Sequence, residues 1–146
     1  MFDPARRFKT RQQDFSTAKA KASLTLTDWK ADASARSGLQ TIDVAVVVFS
    51  LSDSATLDHA RHCIRRLRDP RQSKLSPTAP IWLVANKVDL LGSAPPDKLA
   101  RIAKVRSEAK ALAKEQRLPY AETSARTGEG VSTLFRDIAR LVRRSV

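Results

Sequence analysis

With 146 residues, 42% of them hydrophobic, the chain is long enough for one domain with its own core. No apolar run approaches the roughly 18 residues that a membrane-crossing helix needs, residues 1–13 (MFDPARRFKTRQQ) lack the apolar centre of a secretory signal, and the single Cys63 excludes an internal disulfide, so a soluble cytoplasmic protein is expected. The excess of 27 Lys and Arg over 15 Asp and Glu leaves a net charge of +12, which suits an acidic protein partner, RNA or an anionic surface and does not choose among them.

In chain order, residues 1–22 form a basic N-terminal segment in which Phe2, Phe8 and Phe15 show no clean period; a loose amphipathic helix and an extended arm are both open. Residues 23–28 (SLTLTD) alternate apolar and polar, the pattern of an edge or half-buried strand. Residues 44–51 (VAVVVFSL) and 81–85 (IWLVA) are short, apolar, β-branched runs, which is how strands buried on both faces of a parallel sheet read. Between them, residues 54–68 place Leu57, Ala60, Cys63, Ile64 and Leu67 at helical spacing, one stripe against that sheet. Asp69-Pro70 ends the helix, and residues 72–80 read as a surface loop.

A loop at 92–96 then leads to Asp97, a suitable helix cap, and a long helix to about residue 116 with Leu99, Ile102, Ala103, Ala109 and Leu112 inward. Residues 118–121 (LPYA) read as a third strand. A last helix over 130–144 gathers Val131, Leu134, Phe135, Ile138, Leu141 and Val142 on one side. Strands alternating with helices predict an α/β fold with a parallel, Rossmann-like sheet, so chemistry is sought beyond the C-terminal ends of the strands.

There, after the strand at 81–85, stands Asn86-Lys87-Val88-Asp89, and after the third strand stands Glu122-Thr123-Ser124-Ala125-Arg126. The first resembles the NKxD motif of the Ras/Rab-type small GTPases and the second their other base-binding loop, which usually ends SAK. The resemblance runs over about residues 24–142, including Ser52-Asp53-Ser54 at the head of the arginine-rich helix. A carboxylate at Asp89 can accept hydrogen bonds from both the ring N–H and the amino group of guanine, a pair adenine does not offer; such a fork is worth about 1–3 kcal/mol of discrimination. The resemblance further implies that Asn86 orients the loop and bonds the base, that the Lys87 stem lies over the ring, and that the backbone N–H of Ala125, in a nucleotide-binding loop with Ser124 and Arg126, meets the guanine carbonyl.

Other parts of that family are absent from this sequence. None of Gly38, Gly92, Gly128 and Gly130 stands in a Gly-x-x-x-x-Gly-Lys-Ser/Thr context, the backbone cradle for phosphates. A strand-helix-strand unit takes about 30 residues, and only residues 1–22 precede the strand at 23–28. The resemblance aligns Asp28 with the family's Mg²⁺-side aspartate, but Ala31 and Asp32 replace the glycine and glutamine that follow, so GTP hydrolysis is disfavoured.

The expected domains are thus the segment 1–22 and a partial small-GTPase domain over 23–146, lacking the family's first strand, phosphate loop and first helix. In the family that first strand lies mid-sheet, so its loss leaves two strand edges for each other, for the N-terminal segment or for a partner protein. The preferred expectation is a pseudo-GTPase with weak or lost GTP and GDP binding and little use for Mg²⁺, acting through protein contacts. A fragment of an active GTPase, and a basic RNA- or membrane-surface module, are the alternatives. No cysteine stands near residue 146, so a prenyl anchor is not expected.

Overall fold

The computed structural model describes residues 10–17, 20–27, 42–71, 73 and 75–144. Its centre is a parallel sheet in the order β3-β4-β5, built from β3 (Ala45–Ser50), β4 (Ile81–Asn86) and β5 (Tyr120–Glu122). Val47 pairs with Leu83 and Ala85 with Glu122, so the apolar runs lie side by side with their C-terminal ends level. The α/β reading holds. β1 (Thr10–Thr17) and β2 (Ala20–Thr27) pair antiparallel apart from that sheet, so residues 10–17 and 20–22 take the extended of the two conformations left open. Phe2, Phe8, Asp28, Trp29, Ala31 and Asp32 lie outside the described residues.

Helix α1 (Ser54–Arg68) begins where the Asp53 side chain accepts the Ala55 N–H, and its inward stripe of Leu57, Ala60, Ile64 and Leu67 is buried. Cys63 is only half-buried at the edge of that stripe, and burial pushes its thiol upward against the opposing pull of Arg66. His59 and His62 are exposed, as their place on the polar face predicts. Helix α2 (Pro96–Gln116) has Pro95, not Asp97, at its cap position; Asp97 instead lies in the first turn, where a carboxylate complements the helix dipole. Its buried face is Ile102, Val105, Ala109, Leu112 and Ala113, whereas Ala103 is exposed and Leu99 half-buried. Ile102, Ala109 and Leu112 are inward as the spacing predicts, and Val105 and Ala113 take the places expected of Leu99 and Ala103.

One core, around Phe49, Leu51, Leu57, Ile64, Leu83 and Ala85, lies where α1 and α2 pack on one side of the sheet. Helix α3 (Val131–Arg144) covers the other side, where Leu134 and Ile138 meet Trp82 and Val84. The alternation within β3 splits these faces: Val47 and Phe49 point into the first core, while Val46 and Val48 face the α3 side at 38% and 57% exposure. This corrects the expectation that residues 44–51 are buried on both faces. A strand in mid-sheet would have neighbours on both edges; among the described residues β3 pairs with β4 alone, and the cluster under α3 takes in Trp82 and Val84 of β4 but not Val46 or Val48.

Candidate functional site

The two loops singled out in the sequence meet at the C-terminal ends of β4 and β5. Asn86 is the last residue of β4, and Lys87 turns the chain in the left-handed region (φ 69°, ψ 33°) into a short 3-10 segment, Val88–Gly92, that carries Asp89. Such a turn is uncommon for a lysine, and it swings Asp89 back over the sheet end. The second loop is pinned from below: Thr123 N–H donates to the Ala85 carbonyl at 2.7 Å and Val88 N–H to the Thr123 carbonyl at 3.1 Å. Thr123 and Ser124 are buried although both are polar, and their hydrogen bonds answer for it.

Side chains then join the loops directly. The Ser124 hydroxyl donates to Asp89 Oδ1 at 2.9 Å and accepts the Thr127 N–H at 3.1 Å. Asn86 Oδ1 accepts the Ala125 N–H at 3.0 Å. Asp89 Oδ2 has no hydrogen-bond partner among the described residues. Lys87 leaves the site with its Nζ 3.4 Å from Ser52 Oγ, at the end of β3. Arg126 is exposed at the rim. Asn86, Lys87, Asp89, Ser124, Ala125 and Arg126 are thus gathered at one end of the sheet, while Asp28 is outside the described residues. Among the described residues no three His, Cys, Asp or Glu side chains form a metal-holding group.

Spacing did not single out the support beneath this loop. Arg106, from the middle of α2, forks onto Glu122, with Nε 2.7 Å from Oε2 and Nη2 2.6 Å from Oε1; the Tyr120 hydroxyl donates to Oε2 at 3.0 Å. The guanidinium holds the Glu122 carboxyl below the usual range, and burial followed by this hydrogen bond pushes the Tyr120 hydroxyl upward. Gly130 closes the other side: with φ at 74°, a Cβ there would stand 2.3 Å from the Glu122 carbonyl oxygen, so only glycine fits. The sequence carried a signal for Glu122, next to the loop motif. It carried none for Arg106, one arginine among many.

A parallel sheet flanked by helices, with these two loops level at its C-terminal end, is the architecture of a small-GTPase-type domain. The Ras family model matches residues 8–144, and the chain belongs to the Ras family. Among curated relatives it is similar to the GTP-binding protein YPT52 of Saccharomyces cerevisiae, 33% identical over 108 residues that take in 66% of this chain and 45% of that one. It is also similar to the GTP-binding protein ypt5 of Schizosaccharomyces pombe (34% identical; 66% of this chain, 40% of that one) and to human Ras-related protein Rab-36 (33% identical; 67% and 33%). The alignments therefore span less than half the length of these relatives. The match from residue 8 takes in the antiparallel pair as well as the three-stranded sheet. No helix among the described residues is long and apolar enough to cross a membrane.

Proposed function

We propose that this chain is a Ras-like domain that retains guanine recognition in part, holds GTP or GDP weakly or not at all, does not hydrolyse GTP, and works through protein contacts. The observation that carries this reading is the joining of the two loops at the sheet end, Ser124 hydroxyl to Asp89 at 2.9 Å and Ala125 N–H to Asn86 at 3.0 Å. Asp89 keeps one carboxylate oxygen unengaged among the described residues, and its other oxygen is shared only with a hydroxyl. A purine bearing adjacent ring N–H and amino donors suits that carboxylate; adenine offers no such pair.

Weak binding follows from the same geometry. The Ala125 N–H that would meet the guanine carbonyl is already donated to Asn86 Oδ1, so an entering base must displace or share a hydrogen bond worth about 1 kcal/mol. Residues 1–146 carry no Gly-x-x-x-x-Gly-Lys-Ser/Thr cradle to offset that cost, and without one to seat a phosphate-bound ion little Mg²⁺ dependence is expected. That two relatives are described as GTP-binding proteins supports the choice of nucleotide.

Protein contact is best supported at β3. Ala45 N–H and Leu51 N–H both bond toward the β4 side, which by alternation turns the backbone groups of Val46 and Val48 outward. At the far end, the Thr56 hydroxyl takes the Ser50 N–H at 2.8 Å and closes the edge. Val46 and Val48 are also the exposed large hydrophobics among the described residues. An apolar strand edge of this kind pairs with an extended segment of a partner.

The test is a titration of the purified chain with a fluorescent GDP analogue, with and without Mg²⁺, beside Asp89→Asn. We expect affinity far below that of an intact family member, indifferent to Mg²⁺ and lost in the variant. Tight, Mg²⁺-dependent binding abolished by Asp89→Asn would overturn the reading.

A further inference from the structure

β5 is only three residues long and lies at the edge of its sheet, yet the loop that follows it must hold the Ser124 hydroxyl on Asp89 and the Ala125 N–H on Asn86, at 2.9 and 3.0 Å. Three residue pairs with β4 fix the strand's direction but give little leverage over the loop beyond. The missing constraint comes from α2. The planar guanidinium of Arg106 engages both oxygens of Glu122 at 2.6 and 2.7 Å, and Tyr120 adds a third hydrogen bond at 3.0 Å. A fork of this kind fixes orientation as well as distance, which a point charge does not.

Glu122 is held at its main chain too. Its carbonyl sits under the bare Cα of Gly130, and the next residue, Thr123, bonds to both Ala85 and Val88. Any shift of Glu122 along the strand would therefore be passed to Ser124 and Ala125, two and three residues on, and so to the hydrogen bonds that join them to Asp89 and Asn86. The neighbouring cations do not duplicate the role. Lys110, the other α2 cation that acts on Glu122, does so through charge alone, without a hydrogen bond to it.

We infer that Arg106 is a positioning residue for the Ser124-Ala125 loop: its fork on Glu122 sets where the Ala125 N–H stands relative to the Asp89 carboxylate. The inference rests on the proposed function only in naming guanine as what that pair receives. Arg106 contacts no base itself and acts through Glu122.

The test uses the full chain without nucleotide, comparing Arg106→Met, Arg106→Lys and Tyr120→Phe with the unmodified protein by amide hydrogen exchange, followed by GDP titration. In Arg106→Met the amides of residues 124–127 should exchange roughly tenfold faster, the equivalent of one charge-assisted hydrogen bond, while those of α1 and of β4 residues 82–84 keep their rates. Arg106→Lys, which keeps the charge without the fork, should recover only part of the protection. Tyr120→Phe leaves the fork in place and should show a smaller change confined to the same loop.

Unchanged exchange at 124–127, or an equal rise across α1 and β4, overturns the inference, the second because it marks a purely structural ion pair. If Arg106→Met does not fold, full protection of the loop in Arg106→Lys does the same. The GDP titration separates the two claims. Loss of loop protection in a chain that never binds GDP removes the guanine reading and leaves the positioning role standing. Where the unmodified chain does bind, its affinity should fall about tenfold in Arg106→Met, in step with the exchange.

Discussion

Ser124 carries more of the site than its size suggests. It is fully buried, and its one hydroxyl serves Asp89 on one side and the Thr127 N–H on the other. Ser124→Ala leaves the part-buried Thr127 N–H and an Asp89 carboxylate oxygen short of a partner, so it should lower the free energy of unfolding by about 1–3 kcal/mol, read from urea denaturation midpoints. Glu122 adds a pH dependence whose sign follows from its lowered pKa. Its ionised form contributes stability that is present above the ordinary glutamate range, about pH 4, and is lost as pH falls through the lowered folded value. Glu122→Gln should lack this component: less stable than the unmodified protein at neutral pH, it should lose less on acidification, and parallel pH profiles for the two would refute the assignment. The pair is partly solvent-exposed, with side chains 35% and 20% accessible, so screening keeps the effect modest.

Among the elements, β3 shows how one strand serves two environments. Phe49, 2% exposed, packs into the core under α1, and Val48, 57% exposed, lies on the uncovered side of the sheet. Phe49→Ala should cost about 3–5 kcal/mol through lost transfer energy and the cavity left behind, whereas Val48→Thr should change stability by less than about 0.5 kcal/mol. Equal effects from the two would contradict the two-sided description of the strand. Helices α1 and α2 are tied at their far ends as well: Arg68 donates to the side chain and the main-chain carbonyl of Gln116, the last residue of α2. Those contacts lie at the opposite end of α2 from its capping Pro95, so the two helices are joined near their C-terminal ends.

For the molecule as a whole, the sequence alone determined the alternation of strands and helices, because short β-branched apolar runs bounded by turns differ from stripes at helical spacing. Residues 54–68 could be read as α1 to the residue, and Asn86, Asp89, Ser124 and Ala125 stood out because the two segments after the apolar strands resemble the paired loop motifs of the Ras/Rab-type small GTPases. The antiparallel pair was less legible, since Thr10–Thr17 alternates weakly and its pairing with Ala20–Thr27 depends on register between segments, which no local pattern encodes. Tertiary structure alone decided that Val46 and Val48 lie exposed on a strand that pairs on one edge only among the described residues, for exposure depends on which neighbours are present and not on how apolar a run is. It alone chose Arg106 from a surplus of basic residues, because an ion pair across 16 positions is made by the packing of α2 on the sheet and leaves no mark in the spacing of the sequence.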